Sequence, residues 1–178
     1  ITIWAPRQSG KTWTMQQVFR KLKQDQRFDQ VVLGLEHLKD EKRVGKIIEV
    51  IARDIGRGLG KNFTGIDTQE KFQDLFLKEN LSKPLILVLD EFDAIIEAAI
   101  SSLVGAFRNI YTSRLYETDK PLEEKTYFLH AVALIGVRSV LGVENKSGSP
   151  FNVQRSVHIP NLTYEEVDPN FGSWVDVE

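Results

Sequence analysis

The sequence predicts an α/β fold built around a parallel sheet with helices on both faces. Short apolar runs alternate along the chain with segments whose apolar residues recur at helical spacing, a pattern typical of repeated βα units. One run, Leu85–Leu89, contains apolar residues alone, which suits a central strand that is covered on both faces. With 178 residues, 42% of them hydrophobic, the chain is long enough to bury a sizeable core within one domain.

Each predicted strand is a short apolar run bounded by polar or turn-forming residues. Continuous apolar character, rather than alternation, is expected where a parallel strand is buried on both sides. The predicted strands, in chain order, are Ile1–Trp4, Val31–Leu35, Leu85–Leu89, Ala131–Val137 and, with the weakest pattern, Val157–Ile159.

Four helices are predicted between these strands, because apolar residues recur there at i, i+3, i+4 and i+7. We expect Gly56, Gly58 and Gly60 to end the second helix. We also expect Asp67 to cap the third helix, with Glu70 at the spacing of a capping box. The apolar stripes of the four helices begin at Met15, Val44, Phe72 and Ile100.

The composition excludes several classes of function. Lys plus Arg number 23 and Asp plus Glu 25, a formal charge of −2, which gives this domain no electrostatic basis for tight nucleic-acid binding on its own. Without cysteine there is no disulfide, thiolate zinc site or cysteine nucleophile. No apolar run approaches the roughly 20 residues that span a bilayer, and the start has no signal-peptide pattern. We therefore expect a soluble cytoplasmic domain without a membrane partner.

A phosphate-binding loop is predicted directly after the first strand. The pattern G-x-x-x-x-G-K-[ST] is matched with alanine in place of the first glycine. In such a loop the backbone N–H groups and the positive end of the helix dipole favour an anion. Lys11 would reach the β- and γ-phosphates, and the Thr12 hydroxyl would be a ligand of Mg²⁺. The predicted nucleotide-binding residues are Ala5, Pro6, Arg7, Gln8, Ser9, Gly10, Lys11, Thr12 and Trp13, the last either stacking near the nucleotide or packing against the sheet.

Two carboxylates follow the third strand without a break. Asp90 and Glu91 come directly after Leu85–Leu89, and ligands of open α/β sheets bind at the carboxyl ends of the strands. Asp90 is predicted to hold Mg²⁺, directly or through water, and Glu91 to orient and deprotonate an attacking water. Asp93 is interpreted as a helix cap or a solvated residue.

Together the two motifs resemble those of P-loop ATPases. Ala5–Thr12 resembles a Walker A motif, and Leu87–Glu91 resembles a Walker B motif with the catalytic glutamate adjacent. This adjacency is similar to the additional-strand catalytic-glutamate branch, which includes the AAA+ and signal-transduction (STAND) ATPases, and it is unlike the small-molecule kinase branch. Pro160–Val167 reads P-N-L-T-Y-E-E-V, similar to the segment after the last strand in AAA-like domains of bacterial and archaeal multidomain proteins.

The resemblance implies a particular domain organisation. It implies a three-layer P-loop NTPase domain whose sheet of about five strands has the order 5-1-4-3-2 with helices on both faces. Residues 1–167 are expected to form this core, without its first residues and its helical lid. Residues 168–178 are expected to be a tail or a fragment of a following segment.

The resemblance also implies a role for one arginine, Arg138, and assigns no arginine finger. Arg138 follows the fourth predicted strand, at the position of the sensor 1 residue, and would contact the γ-phosphate. It would join Lys11 and Glu91 as a catalytic residue. Arg108 and Arg114 lie on the helix after the Walker B motif. They are interpreted as solvated helix residues rather than as arginine fingers.

Three functions remain open from the sequence. The first is an AAA+/STAND-like ATPase that uses ATP and Mg²⁺ to drive conformational change in attached or partner protein domains, with oligomers forming on ATP binding. The second is a regulatory module that binds ATP or ADP as a switch with little or no turnover. Glu91 favours the ATPase, because a switch needs no water-activating base, whereas the lack of an assignable arginine finger favours the switch. The third, a nucleic-acid-associated motor, is disfavoured by the charge of −2.

Overall fold

The computed structural model describes residues 2–4, 11–22, 24–136 and 156–158. Two short 3₁₀ turns matter for the site: Glu36–Leu38, which follows the second strand, and Phe92–Ala94, which separates the third strand from the fourth helix. The strands are β1 (Thr2–Trp4), β2 (Asp29–Gly34), β3 (Leu85–Asp90), β4 (Leu129–Gly136) and β5 (Ser156–His158). The α-helices are α1 (Lys11–Leu22), α2 (Val44–Gly58), α3 (Gln69–Asp74) and α4 (Glu97–Leu115).

Strands β2, β3 and β4 lie side by side as a parallel sheet. Strand β3 is the central one of these three, with Leu89 opposite Leu33 of β2 on one side and Leu134 of β4 on the other. Strand β1 pairs with β4 so that Trp4 lies opposite Gly136. The carboxyl ends of β3, β4 and β1 therefore meet at one edge of the sheet.

Successive residues of β3 face opposite sides of the sheet, because side chains alternate along a strand. Leu87 and Leu89 belong to the large core cluster on the side of α2, α3 and α4. Val88, between them, packs instead with Met15 and Phe19 of α1. The alternation explains why the central strand is apolar throughout: both of its faces are covered by helices.

The end of α2 agrees with the prediction that the cluster of Gly56, Gly58 and Gly60 stops this helix. Gly58 is its last residue and Leu59 its C-cap, while Gly56 lies two residues inside the helix. Gly60 does end it: its φ is 66°, a left-handed conformation that glycine adopts without steric cost. The Gly60 N–H donates to Arg57 O at 3.2 Å and the Lys61 N–H to Gly56 O at 2.8 Å, which is the Schellman pattern.

The N-cap of α3 differs from the prediction that Asp67 caps this helix. Thr68, not Asp67, is the N-cap, and its hydroxyl accepts a hydrogen bond of 3.3 Å from the Lys71 N–H. Asp67 instead accepts a 2.7 Å hydrogen bond from the ammonium group of Lys71. Thr68 takes the capping role because it is the extended residue directly before the first helical turn.

The predicted fold class is confirmed: the chain is α/β, with a parallel sheet and helices. Predicted strands 31–35, 85–89 and 131–137 are confirmed as β2, β3 and β4, with ends that differ by up to two residues within the described part of the chain. The complete five-strand order remains a proposal, because its outer pairs involve only the three-residue strands β1 and β5. In the described residues, no helix combines the length and apolar character needed to cross a membrane.

Candidate functional site

The acidic pair lies at the carboxyl end of the central strand β3. Asp90 is the last residue of β3 and lies opposite Gly34 in β2. Its carbonyl accepts a hydrogen bond of 2.9 Å from the Leu35 N–H, which ties the chain leaving β2 to the end of β3. Asp90 is half-buried and Glu91 is exposed, so the structure places both predicted residues at the expected edge of the sheet.

Glu91 occupies a left-handed backbone conformation, with φ of 55° and ψ of 38°. Among the described residues it is the one non-glycine residue with positive φ, a conformation that costs an L-residue about 1–2 kcal/mol. Two hydrogen bonds of 2.9 Å hold the turn: the Glu91 N–H donates to the Asp90 carboxylate, and the Ala94 N–H donates to the Glu91 carbonyl. The turn redirects the chain sharply out of β3 and presents the Glu91 side chain at the sheet edge. Strain of this kind is a pointer to function.

Neighbouring groups raise the pKa of Glu91 above its ordinary value. Loss of hydration is the largest cause, followed by the negative charges of Glu36 and Asp90, with a smaller contribution from Asp93. A hydrogen bond from the backbone N–H of Glu36 acts in the opposite direction. A carboxylate with a raised pKa is a stronger proton acceptor while ionised, which suits a general base.

Asp93 has a different position from the one expected. It lies within the 3₁₀ turn Phe92–Ala94, and the N-cap of α4 is Ile96. Its side chain is half-buried and lies against the α-carbon of Gly136, at the end of β4. The interpretation as a cap of α4 is therefore wrong, because the turn after Glu91 places Asp93 across the end of the neighbouring strand, where its side chain is only partly exposed.

The predicted phosphate loop falls largely outside the described residues. Strand β1 ends at Trp4 and helix α1 begins at Lys11, so the motif spans the connection between a strand and a helix. Lys11, Thr12 and Trp13 form the first turn of α1, of which the backbone alone is described. Ala5, Pro6, Arg7, Gln8, Ser9 and Gly10 lie outside the described residues, as does Arg138.

The end of β1, and with it the start of the loop, lies close to the acidic pair. Strand β4 separates β1 from β3, so the two carboxyl ends are about 10 Å apart at the usual spacing of neighbouring strands. The roles assigned to the individual residues remain predictions.

The donor chemistry at this edge fits magnesium. Mg²⁺ is usually held by one or two carboxylates together with water and substrate phosphates, and Asp90 supplies a half-buried carboxylate. Within the described ranges, no group of three or more His, Cys, Asp or Glu side chains is arranged to hold a metal ion by itself. The roles of Asp90 and Thr12 as Mg²⁺ ligands, with the phosphates as further ligands, remain predictions.

The two arginines of α4 have different environments. Arg114 is half-buried, and its Nη1 donates hydrogen bonds of 2.8 Å to Tyr127 O and 3.0 Å to Leu129 O. It therefore fastens the end of α4 to the start of β4, and its interpretation as a solvated residue is wrong. Arg108 is exposed, as expected for a surface helix position.

Sequence reasoning missed two residues near the acidic pair, Glu36 and Gly136. Glu36 follows β2, whose carboxyl end lies beside that of β3, and the strand prediction alone would have placed an acidic residue there. Gly136 interrupts the apolar run of β4, and a glycine at a strand end often marks the close approach of another group.

No protein-family model matches the chain, and no curated protein matches it. Solved structures do match. The Aeropyrum pernix ORC2 protein in its ADPNP–ADP complexes has a TM-score of 0.58 at 17% identity, over 93% of this chain and 43% of that one. The Aeropyrum pernix ORC1 protein in complex with DNA has a TM-score of 0.54 at 15% identity, over 97% of this chain and 42% of that one.

A eukaryotic assembly is also similar. Drosophila ORC bound to poly(dA/dT) DNA and Cdc6 has a TM-score of 0.54 at 10% identity, over 91% of this chain and 25% of that one. The chain thus spans less than half the length of each of these proteins. ORC/Cdc6 proteins are AAA+ ATPases. At these identities the likeness shows the fold alone: the chain has the fold of a part of these AAA+ proteins.

Proposed function

We propose that this chain is an AAA+ ATPase module that binds ATP with Mg²⁺ and hydrolyses it. The observation that carries the proposal is the left-handed turn at Glu91, which places a carboxylate of raised pKa directly after Asp90 at the carboxyl end of β3. The predicted phosphate loop starts from β1, which belongs to the same sheet. The nucleotide complexes of the Aeropyrum ORC2 protein support a nucleotide as the ligand of this fold.

Each residue has a defined task in this proposal. Residues Ala5–Gly10 form the phosphate loop, whose backbone N–H groups (Pro6 has none) bind the phosphates together with the Lys11 ammonium, and Trp13 contacts the nucleotide. Thr12 and Asp90 hold Mg²⁺, which when bound neutralises charge on the β- and γ-phosphates. Glu91 orients a water molecule toward the γ-phosphate and accepts its proton. Arg138 contacts the γ-phosphate.

We propose the five-strand order 5-1-4-3-2 for the complete core at residues 1–167. The energy of hydrolysis drives conformational change in attached or partner domains, and copies of the protein associate when ATP is bound. The Aeropyrum ORC1 and Drosophila ORC structures contain DNA, but a charge of −2 gives this domain no electrostatic basis for binding DNA by itself.

A nucleotide-dependent switch with little turnover is the second candidate function. The environment of Arg114 favours it, because this arginine is engaged with the carbonyls of Tyr127 and Leu129 and is not available as an arginine finger. Such a finger contributes on the order of 10³–10⁵ to turnover where it is present. A module without one would hold ATP or ADP and report which of the two is bound.

The experiment that tests the ATPase is phosphate release from ATP, measured with Mg²⁺ and with excess EDTA. The variants are Lys11→Ala, Glu91→Gln and, as a matched control, Glu97→Gln, which removes the charge of an exposed glutamate on α4. Mg²⁺-dependent release that is lost in the first two variants and kept in the control supports the ATPase. Tight ATP binding without release in the wild-type protein supports the switch, and absence of binding contradicts both functions.

A further inference from the structure

We propose that Asp93 is a positioning residue of the ATPase site, acting through contact with Gly136 to hold the end of β4 against the turn that carries Glu91. The inference rests on the proposed ATPase function. Neither motif includes Asp93: the Walker B resemblance ends at Glu91.

The contact between Asp93 and Gly136 is unusually close. A Cβ atom built on Gly136 would lie 2.7 Å from Oδ1, 2.9 Å from Cγ and 3.3 Å from Cβ of Asp93. The first two distances are below 3.0 Å, a separation that real Cβ atoms essentially never show from neighbouring atoms. Because the whole aspartate side chain lies over the glycine, rotating its tip would not relieve the clash. Only glycine fits at position 136 while Asp93 stays in place.

The 3₁₀ turn holds Asp93 in this position. Phe92, the residue before it, is fully buried, and Ile95, two residues after it, is buried with 4% of its surface exposed. The hydrogen bond from the Ala94 N–H to the Glu91 carbonyl closes the same turn. Phe92 joins Glu91 to Asp93 within this turn. A displacement of Asp93 therefore also moves the backbone of Glu91.

Gly136 links this contact to the nucleotide side of the site. It is buried and lies opposite Trp4, the last residue of β1 before the predicted phosphate loop. The chain that continues from Gly136 leads to Arg138 within two residues. Asp93 thus connects the turn at Glu91 to the end of β4, which neighbours the strand that leads into the predicted phosphate loop. In the proposed site, a small shift of Asp93 would change the distance between the Glu91 carboxylate and the γ-phosphate.

Asp93 does not cap α4, whose N-cap is Ile96 without a side-chain cap bond. Its length is what the contact requires: the side chain must cover Gly136 without pushing the strand away.

The test compares shape with charge at position 93. Asp93→Asn keeps the shape and loses the charge, whereas Asp93→Glu keeps the charge and adds a methylene that meets Gly136. For the full chain, we expect kcat of Asp93→Asn within about threefold of wild type, and kcat of Asp93→Glu and Asp93→Ala lowered by on the order of 10²-fold, as for misplacement of a catalytic group by about 1 Å. KM and the Kd of a fluorescent ATP analogue are expected to change less than about threefold, because a misplaced base slows the chemical step without weakening nucleotide binding.

A double-mutant cycle adds a second readout. Gly136→Ala is expected to lower kcat strongly in the wild-type background and much less in the Asp93→Ala background, since the clash requires the aspartate side chain. This non-additivity identifies the contact as the cause, and it is measurable even where one single variant is unstable. Glu97→Gln is the control for charge removal on a neighbouring element.

Three outcomes decide the proposal. The pattern described above supports it. Two results would overturn it while leaving the ATPase function intact, provided that the wild-type protein hydrolyses ATP. One is a normal kcat for Asp93→Ala. The other is an active Asp93→Glu together with an inactive Asp93→Asn. Absence of turnover in the wild-type protein overturns the ATPase function, and this proposal with it.

Discussion

The backbone N–H of Glu91 donates a hydrogen bond of 2.9 Å to the carboxylate of Asp90, the residue before it. The carboxylate that we propose as a Mg²⁺ ligand thus also holds the turn that presents the proposed base. Replacing the Asp90 side chain therefore also removes a bond that holds the turn, whereas a side-chain change such as Glu91→Gln keeps the backbone donor. This bond helps a strained backbone to persist at the end of β3.

The left-handed backbone of Glu91 predicts an unusual order of stability. Both Glu91→Gly and Glu91→Ala remove the side chain, but only glycine adopts φ of 55° without steric cost. We expect Glu91→Gly to be more stable than Glu91→Ala by about 1 kcal/mol, measured by urea unfolding. At Arg108, an exposed position within α4, the same pair should show the opposite order, because glycine costs about 1 kcal/mol in a helix. The same order at both positions would contradict the assigned turn.

Arg114 is predicted to contribute to stability rather than to nucleotide turnover. Arg114→Ala leaves the carbonyls of Tyr127 and Leu129 without their guanidinium donor. We expect a loss of about 3 kcal/mol, typical of losing hydrogen bonds to a charged, partly buried group. Arg108→Ala, the exposed control on the same helix, should stay within about 0.5 kcal/mol of wild type. Urea unfolding of the two variants checks this, and equal stabilities would show that the Arg114 contacts contribute nothing.

The lowered pKa of Glu117 predicts how the free energy of unfolding changes in acid. Hydrogen bonds from the Thr126 hydroxyl and N–H, and then from Lys120, lower the pKa of Glu117 from 4.5 to about 2. Because the folded pKa is depressed, the stabilisation is complete above the unfolded value of 4.5 and is lost as pH falls toward about 2. Glu117→Gln should therefore be less stable than wild type at pH 7, and the difference should shrink through this window.

Chemical denaturation at a series of pH values measures this effect. Glu123→Gln, which changes an exposed glutamate in the same connection before β4, is the control and should follow the wild-type profile. A constant difference between wild type and Glu117→Gln across the window would contradict the assigned hydrogen bonds.

The fold was predictable because its determinants are local patterns. Apolar runs located β2, β3 and β4, and helical stripes located α2 and α4, since burial of one face is the strongest sequence signal. The ends were less predictable. Gly56 looked like a helix terminator, yet it lies inside α2, because glycine also serves where a neighbouring backbone comes close: a Cβ there would lie 2.8 Å from Lys61 O.

The site was predictable only in part. The position of Asp90 and Glu91 followed from the strand they terminate. The contact of Asp93 with Gly136 and the anchoring of Arg114 depend on residues that are apart in sequence. Position 93 is 43 residues from position 136, and only the pairing of β3 with β4 brings them together. Such contacts have no signature in a single sequence.

The most direct test of the account is the fate of a single bound ATP. The full chain is mixed with less than one equivalent of ATP and Mg²⁺, quenched in acid over time, and the nucleotide is identified. We predict that the wild-type protein converts ATP to ADP, and that Glu91→Gln binds ATP but retains it unhydrolysed, slowed by on the order of 10²-fold or more as for loss of a general base. Formation of ADP by Glu91→Gln at the wild-type rate would contradict the role of Glu91, and with it the central claim.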